Sequence, residues 1–189
     1  MASGLLLIWV TYGIRHFGGH AEGPLREPGK LAYVITAKPG RVLTDGSIVL
    51  DLRGREDATI VSVESVGNEG TLEFLGAKVV GPHRRFTSTE WAPGWPPVHF
   101  KASSVIDPVG ATLRPSFRTW KKQAYELLLG YRVLRPAYGV RSGVTVTYRV
   151  GGQQYETTIA NIIVTCPPHG RQSTCLRRGF DSVSPPGQG

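Results

Sequence analysis

The sequence predicts an all-β protein, an antiparallel immunoglobulin-like β-sandwich of about eight strands. Three observations carry this. Val144, Val146, Tyr148 and Val150 alternate strictly with Thr145, Thr147 and Arg149, and Gly151-Gly152 follows as a two-residue turn. Period-two alternation broken by a glycine pair is a hairpin signal. The 24 glycines and 14 prolines are scattered through the 189 residues, as short strands joined by turns require. No strand–helix–strand rhythm runs along the chain, which argues against a parallel sheet with crossover helices.

Taken in order, Met1 to Ile14 carries no charge; Leu5, Leu6, Leu7, Ile8, Trp9 and Val10 form its apolar heart, and Arg15 and His16 follow. A spanning helix needs about 20 apolar residues, and a signal peptide has a basic start that is missing here. Three readings stand. The segment is the outer part of a transmembrane helix whose beginning is missing, with Trp9 and Tyr12 as interfacial anchors; or an atypical secretion signal; or a first strand buried in the core. The leading reading is the truncated membrane helix, and either of the first two places the rest of the chain outside the cytoplasm. The expected organisation is a membrane anchor over 1–20, a linker over 21–30, a β-sandwich domain over 31–169 and a flexible tail over 170–189.

Within the domain, Leu31–Thr36 reads as a strand. Lys38-Pro39-Gly40 and Thr44-Asp45-Gly46 read as turns, with a second strand over 48–52. Residues 59–66 are rich in β-branched side chains and give a third strand. Gly67-Asn68-Glu69-Gly70 then reads as a hairpin loop into a strand over 71–80, where Gly76 marks a bulge. From 81 to 115 the pattern weakens: Trp91, Pro93, Gly94, Trp95, Pro96 and Pro97 make a stiff aromatic loop, and a short strand is expected within 99–105. Between 116 and 134 two templates compete. Phe117, Trp120, Ala124, Leu127 and Leu128 fit a helical stripe, whereas Tyr125, Leu127, Leu129, Tyr131 and Val133 alternate as one strand face. The alternation is the longer and crosses Gly130, so a strand preceded by at most a helical turn is expected. The hairpin at Gly151-Gly152 and a strand over 162–166 complete the domain.

Two cysteines, Cys166 and Cys175, enclose Pro167, Pro168, His169 and Gly170. Two thiols and one histidine are an incomplete zinc set, whereas a disulfide closing this loop fits a domain outside the cytoplasm. The five histidines, His16, His20, His83, His99 and His169, show no ligand spacing, and no metal or other cofactor is assigned. No Gly-x-Ser-x-Gly elbow occurs. Ser103-Ser104, His99 and Asp107 lie too close along one segment to converge as a triad, so no catalytic residue is assigned.

The formal net charge is +8, which favours an anionic partner. The basic residues are dispersed, with only pairs at Arg84-Arg85, Lys121-Lys122 and Arg177-Arg178. The sharpest binding candidate is a surface of Arg84, Arg85, Trp91 and Trp95, to which Arg118, Trp120, Lys121 and Lys122 add the same composition. The competing reading has the indoles covering core at the end of short strands.

The run Leu127-Leu128-Leu129-Gly130-Tyr131-Arg132-Val133, followed by Gly143-Val144-Thr145-Val146-Thr147-Tyr148-Arg149-Val150-Gly151-Gly152, resembles the end of many uncharacterised envelope proteins of high-GC bacteria. The resemblance implies one N-terminal membrane helix and one β-sandwich outside, and it transfers no functional residue. The expected function is a non-enzymatic binding or assembly module, tethered to the membrane through its N-terminal segment. Its partner would be an anionic envelope polymer or another envelope protein. The alternatives are an extracytoplasmic hydrolase with its site near Trp91–His99, and a cytosolic basic β-barrel binding nucleic acid.

Overall fold

The computed structural model describes residues 23–26, 31–67, 70–82, 89–97, 105–119 and 124–183. Its strands in chain order are β1 (Leu25–Arg26), β2 (Leu31–Thr36), β3 (Val42–Leu52), β4 (Ala58–Val66), β5 (Leu72–Val80), β6 (Thr89–Pro93) and β7 (Val105–Ile106). They continue as β8 (Thr112–Leu113), β9 (Tyr125–Val133), β10 (Gly139–Arg141), β11 (Gly143–Val150), β12 (Gln153–Ile159) and β13 (Asn161–Cys166), and helix α1 (Gln172–Val183) follows. The chain is mostly β, as the alternation predicts.

Three sheets form. The first has the order β1–β3–β9–β5–β7, and β6 also pairs with β3. β1 meets the end of β3 (Leu25 opposite Leu52) and β6 its beginning (Leu43 opposite Pro93), so the two share the edge that β9 leaves open. Pro93 has no N–H to contribute to a ladder, which suits this edge position. The second sheet is β12–β11–β4–β8 and the third is β10–β13–β2. The β11–β12 hairpin turns at Gly151-Gly152 as expected, with Val150 opposite Gln153 and Thr147 opposite Glu156.

Alternation turns one face of each sheet onto a common core. Leu127, Leu129, Tyr131 and Val133 of β9 meet Val144, Val146 and Tyr148 of β11, Leu43, Ile48 and Leu50 of β3, and Ile163 of β13. β9 is buried on both faces: Glu126 and Leu128, which point away from this core, are also almost inaccessible. Trp95 covers Gly130 on that outer side; a methyl group added to Gly130 would lie 2.2 Å from its indole Cδ2. A smaller cluster of Val140, Ile162, Val164, Cys166 and Cys175 fills the space between the third sheet and α1. The Cys166–Cys175 disulfide is formed, with Cα atoms 5.8 Å apart.

The strand over 125–133 crosses Gly130, as the longer alternation predicts, and a 3₁₀ turn at Ser116–Arg118 lies before it among the described residues. The register of β5 against β9 shifts between Phe74 and Gly76, so the bulge at Gly76 is present.

Four expectations are corrected. Thr44-Asp45-Gly46 is not a turn between strands but part of β3, where the register against β9 shifts between Asp45 and Ile48. The Asp45 carboxylate accepts from the Ser47 backbone N–H at 3.1 Å, so the aspartate uses turn chemistry to make a bulge. Gly67 to Gly70 does not close a hairpin: β4 pairs with β11 and β8, and β5 with β9 and β7, so the loop changes sheets. Trp91 lies in strand β6 rather than a loop. The segment after Gly170 forms a helix over Gln172–Val183, held by tertiary contact: Cys175 is bonded to β13, and a methyl on Gly179 would come within 2.3 Å of Val164. In addition, β13 runs parallel to β2 within an otherwise antiparallel arrangement.

The N-terminal segment lies outside the described residues. Among the described residues no helix is long and apolar enough to cross a membrane.

Candidate functional site

Antiparallel register brings several strand ends to one end of the molecule. Leu50 pairs with Tyr125, Val80 with Glu126, Ala58 with Val150, and Val150 with Gln153. The end of β3, the starts of β4 and β9, the end of β5 and the Gly151-Gly152 turn therefore stand together. The Arg53–Asp57 crossover from the first sheet to the second caps this end. It turns through Gly54, whose φ of +93° only glycine adopts without strain.

Two side chains hold the cap in place. Arg118, projecting from the 3₁₀ turn, donates from Nη1 to the Arg55 carbonyl at 3.1 Å and to Asp57 Oδ1 at 3.3 Å. Tyr125 Oη accepts the Arg114 backbone N–H at 3.2 Å, tying the approach to that turn onto β9. The chain enters at the same place, because the Arg53 backbone N–H donates to the Pro24 carbonyl at 2.8 Å.

The crossover separates two open grooves. One, of about 350 Å³, is bordered by Pro24, Arg53, Arg55, Glu56, Gln153 and Tyr155. The other, of about 460 Å³, is bordered by Asp57, Ile106, Thr112, Arg114, Arg118 and Tyr125. Arg26, Arg53, Arg55, Arg114 and Arg149 are exposed and make no side-chain hydrogen bond or ion pair among the described residues. Beside them, Phe117 is 56% and Ile106 45% exposed. Unpaired guanidinium groups offer forked donors to phosphate or carboxylate oxygens, and the phenyl and butyl groups add apolar contact. This end thus carries exposed guanidinium groups and two exposed apolar side chains, Phe117 and Ile106.

A second polar cluster lies at the seam of the three sheets, without access to solvent. Arg141 of β10 is fully buried; its Nη2 donates to Asp45 Oδ2 at 3.1 Å and to Asn161 Oδ1 at 2.7 Å. Asn161 Nδ2 donates to Ser47 Oγ at 2.6 Å, and Ser47 Oγ donates to Asp45 Oδ1 at 2.6 Å. The guanidinium also stands 5.2 Å from the centre of the Tyr131 ring, whose hydroxyl is 3.4 Å from Ser65 Oγ. Burial raises the Tyr131 hydroxyl pKa above the ordinary 10.0, partly opposed by the Arg141 charge and the Ser65 hydrogen bond. Arg141 Nε and Nη1 have no hydrogen-bond partner among the described residues. The network joins β3, β4, β9, β10 and β13.

Of the residues predicted for a ligand surface, Arg84, Arg85, Trp120, Lys121 and Lys122 lie outside the described residues, as does the side chain of Trp91. Trp95 is half-buried over Gly130. The described residues that precede the two basic segments, Pro82 and Thr119, border the same groove, and Arg118 of the predicted set stands on its rim. Of the residues weighed for hydrolysis, His99, Ser103 and Ser104 lie outside the described residues, and Asp107 is ion-paired to Lys78. Among the described residues no three histidine, cysteine, aspartate or glutamate side chains stand close enough to hold a metal. Sequence reasoning passed over Arg53, Arg55 and Arg114, since single arginines in polar turns carry no signal until the fold gathers them. It read Asp45 only as a turn residue, and it passed over Arg141 and Asn161.

No protein family matches this chain, and no curated protein matches it either.

Proposed function

We propose that this protein is a non-enzymatic binding or assembly module of the cell envelope. In this reading an immunoglobulin-like sandwich is tethered to the membrane by the N-terminal segment and lies outside the cytoplasm, as in the high-GC envelope proteins it resembles. The recognition surface is the cationic end, and its ligand is anionic. The observation that carries the reading is the set of exposed, unpaired arginine side chains around two grooves where the described chain begins. The Cys166–Cys175 disulfide supports the compartment, since such bonds persist in oxidising surroundings.

Cell fractionation with protease accessibility, on the gene expressed with its natural upstream sequence, tests the reading. Recovery with membranes and digestion from the outer side are expected. A protein recovered intact and protease-protected in the cytosol would remove it.

A further inference from the structure

The proposed tether and the cationic end are neighbours, and this sets the orientation of the domain. Pro24 borders one groove and its carbonyl is bonded to Arg53, so the described chain begins at this end. Gly23 lies thirteen Cα steps beyond Val10, the end of the apolar run (23 − 10 = 13); such a connection spans at most about 45 Å. A short tether keeps whatever it is anchored to at high effective concentration beside the surface from which it leaves.

We infer that the cationic end docks flat on an anionic phospholipid surface, the bilayer that holds the tether; this rests on the membrane-anchored reading above. The guanidinium groups of Arg26, Arg53, Arg55, Arg114 and Arg149 have no hydrogen-bond or ion-pair partner among the described residues, and phosphodiester headgroups supply the oxygens that their planar donors fit. Phe117 and Ile106 decide between a bilayer and a soluble polyanion. Exposed side chains of this kind next to arginines match the boundary between headgroups and acyl chains, whereas a soluble polyanion chain leaves them in water. The opposite end, at Gly67, Gly70 and Tyr138, faces away from the membrane.

Hydrogen exchange on the full chain reconstituted into two kinds of vesicle tests the inference. One kind is phosphatidylcholine alone, the other equal parts phosphatidylcholine and phosphatidylglycerol. Backbone amides at 53–57 and 116–119 are expected to gain protection only with phosphatidylglycerol, and to lose it as salt is raised. The variant Arg53→Gln/Arg114→Gln removes two exposed, unpaired charges and should lower that protection roughly 25-fold, about fivefold per arginine. Phe117→Ser, also exposed, should lower it without changing the salt dependence.

Failure to associate with either vesicle would remove the tether reading itself. Association with both, without added protection from phosphatidylglycerol, would overturn the docking inference and leave the tether standing. Equal protection of these amides by soluble polyphosphate in phosphatidylcholine vesicles would also overturn it, assigning the end to a free polyanion.

Discussion

At the seam of the sheets, Arg141 has lost all contact with water, and its charge is met by Asp45, Asn161 and the ring of Tyr131. At the cationic end, Arg114 carries the same group on the surface, with water in place of a protein partner. The first arrangement costs desolvation of two ions and repays it only through geometry. The second costs the fold almost nothing and keeps its donors for something else. Charge totals cannot separate the two. What separates them is whether the fold brings a carboxylate and an amide to the guanidinium or leaves it in water.

The largest effect should come from breaking the buried side. Arg141→Met leaves the Asp45 carboxylate buried without its cation and should cost about 3–5 kcal/mol in chemical denaturation. Asp45→Asn added to it should recover part of that loss; an unchanged denaturation midpoint in the single variant would mean the seam is not held by this pair. Next in size is the disulfide, which fixes α1 against the sheet carrying Arg141. Replacing both cysteines by alanine opens a nine-residue separation and should cost roughly 2–3 kcal/mol on chain entropy, read as a lower unfolding midpoint.

A smaller effect should appear at high pH. The folded state holds the Tyr131 proton more tightly than the unfolded chain does, so its contribution is complete below pH 10 and lost as pH rises beyond. The unfolding free energy of Tyr131→Phe should therefore decline less between pH 10 and higher pH than that of the parent; parallel curves would show the hydroxyl is not responsible. The smallest effect belongs to the exposed set. Arg53→Ala and Arg114→Ala should leave the unfolding midpoint unmoved, and a clear drop would show that these side chains serve the fold rather than a ligand.

What could be read from sequence followed from how local the signal was. The hairpin at Gly151-Gly152 is written in seven consecutive alternating residues, Val144 to Val150, and one turn, and the strand through Gly130 in nine. Asp45 misled because a carboxylate bonding two residues ahead marks a turn in sequence, and here the same bond kinks a strand. The glycines around 67–70 announced a change of direction but not the sheet to which the chain would go. Helix α1 was illegible because its order comes from Cys166 and Val164, distant in sequence from most of its residues. For the candidate site, Arg118 was visible beside Trp120 and two lysines. The other rim residues came from four separate segments, and only register brings them together.

The parallel pairing of β2 with β13 bears on how the molecule is made. Leu31 meets Asn161 and Thr36 meets Cys166, and β2 pairs with no other strand among the described residues. Chains are synthesised from the N-terminus, so β2 emerges some 130 residues before the strand it pairs with (161 − 31 = 130). Contacts this distant in sequence close slowly. Until β13 has been made, β2 keeps an open edge, because its partner among the described residues does not yet exist.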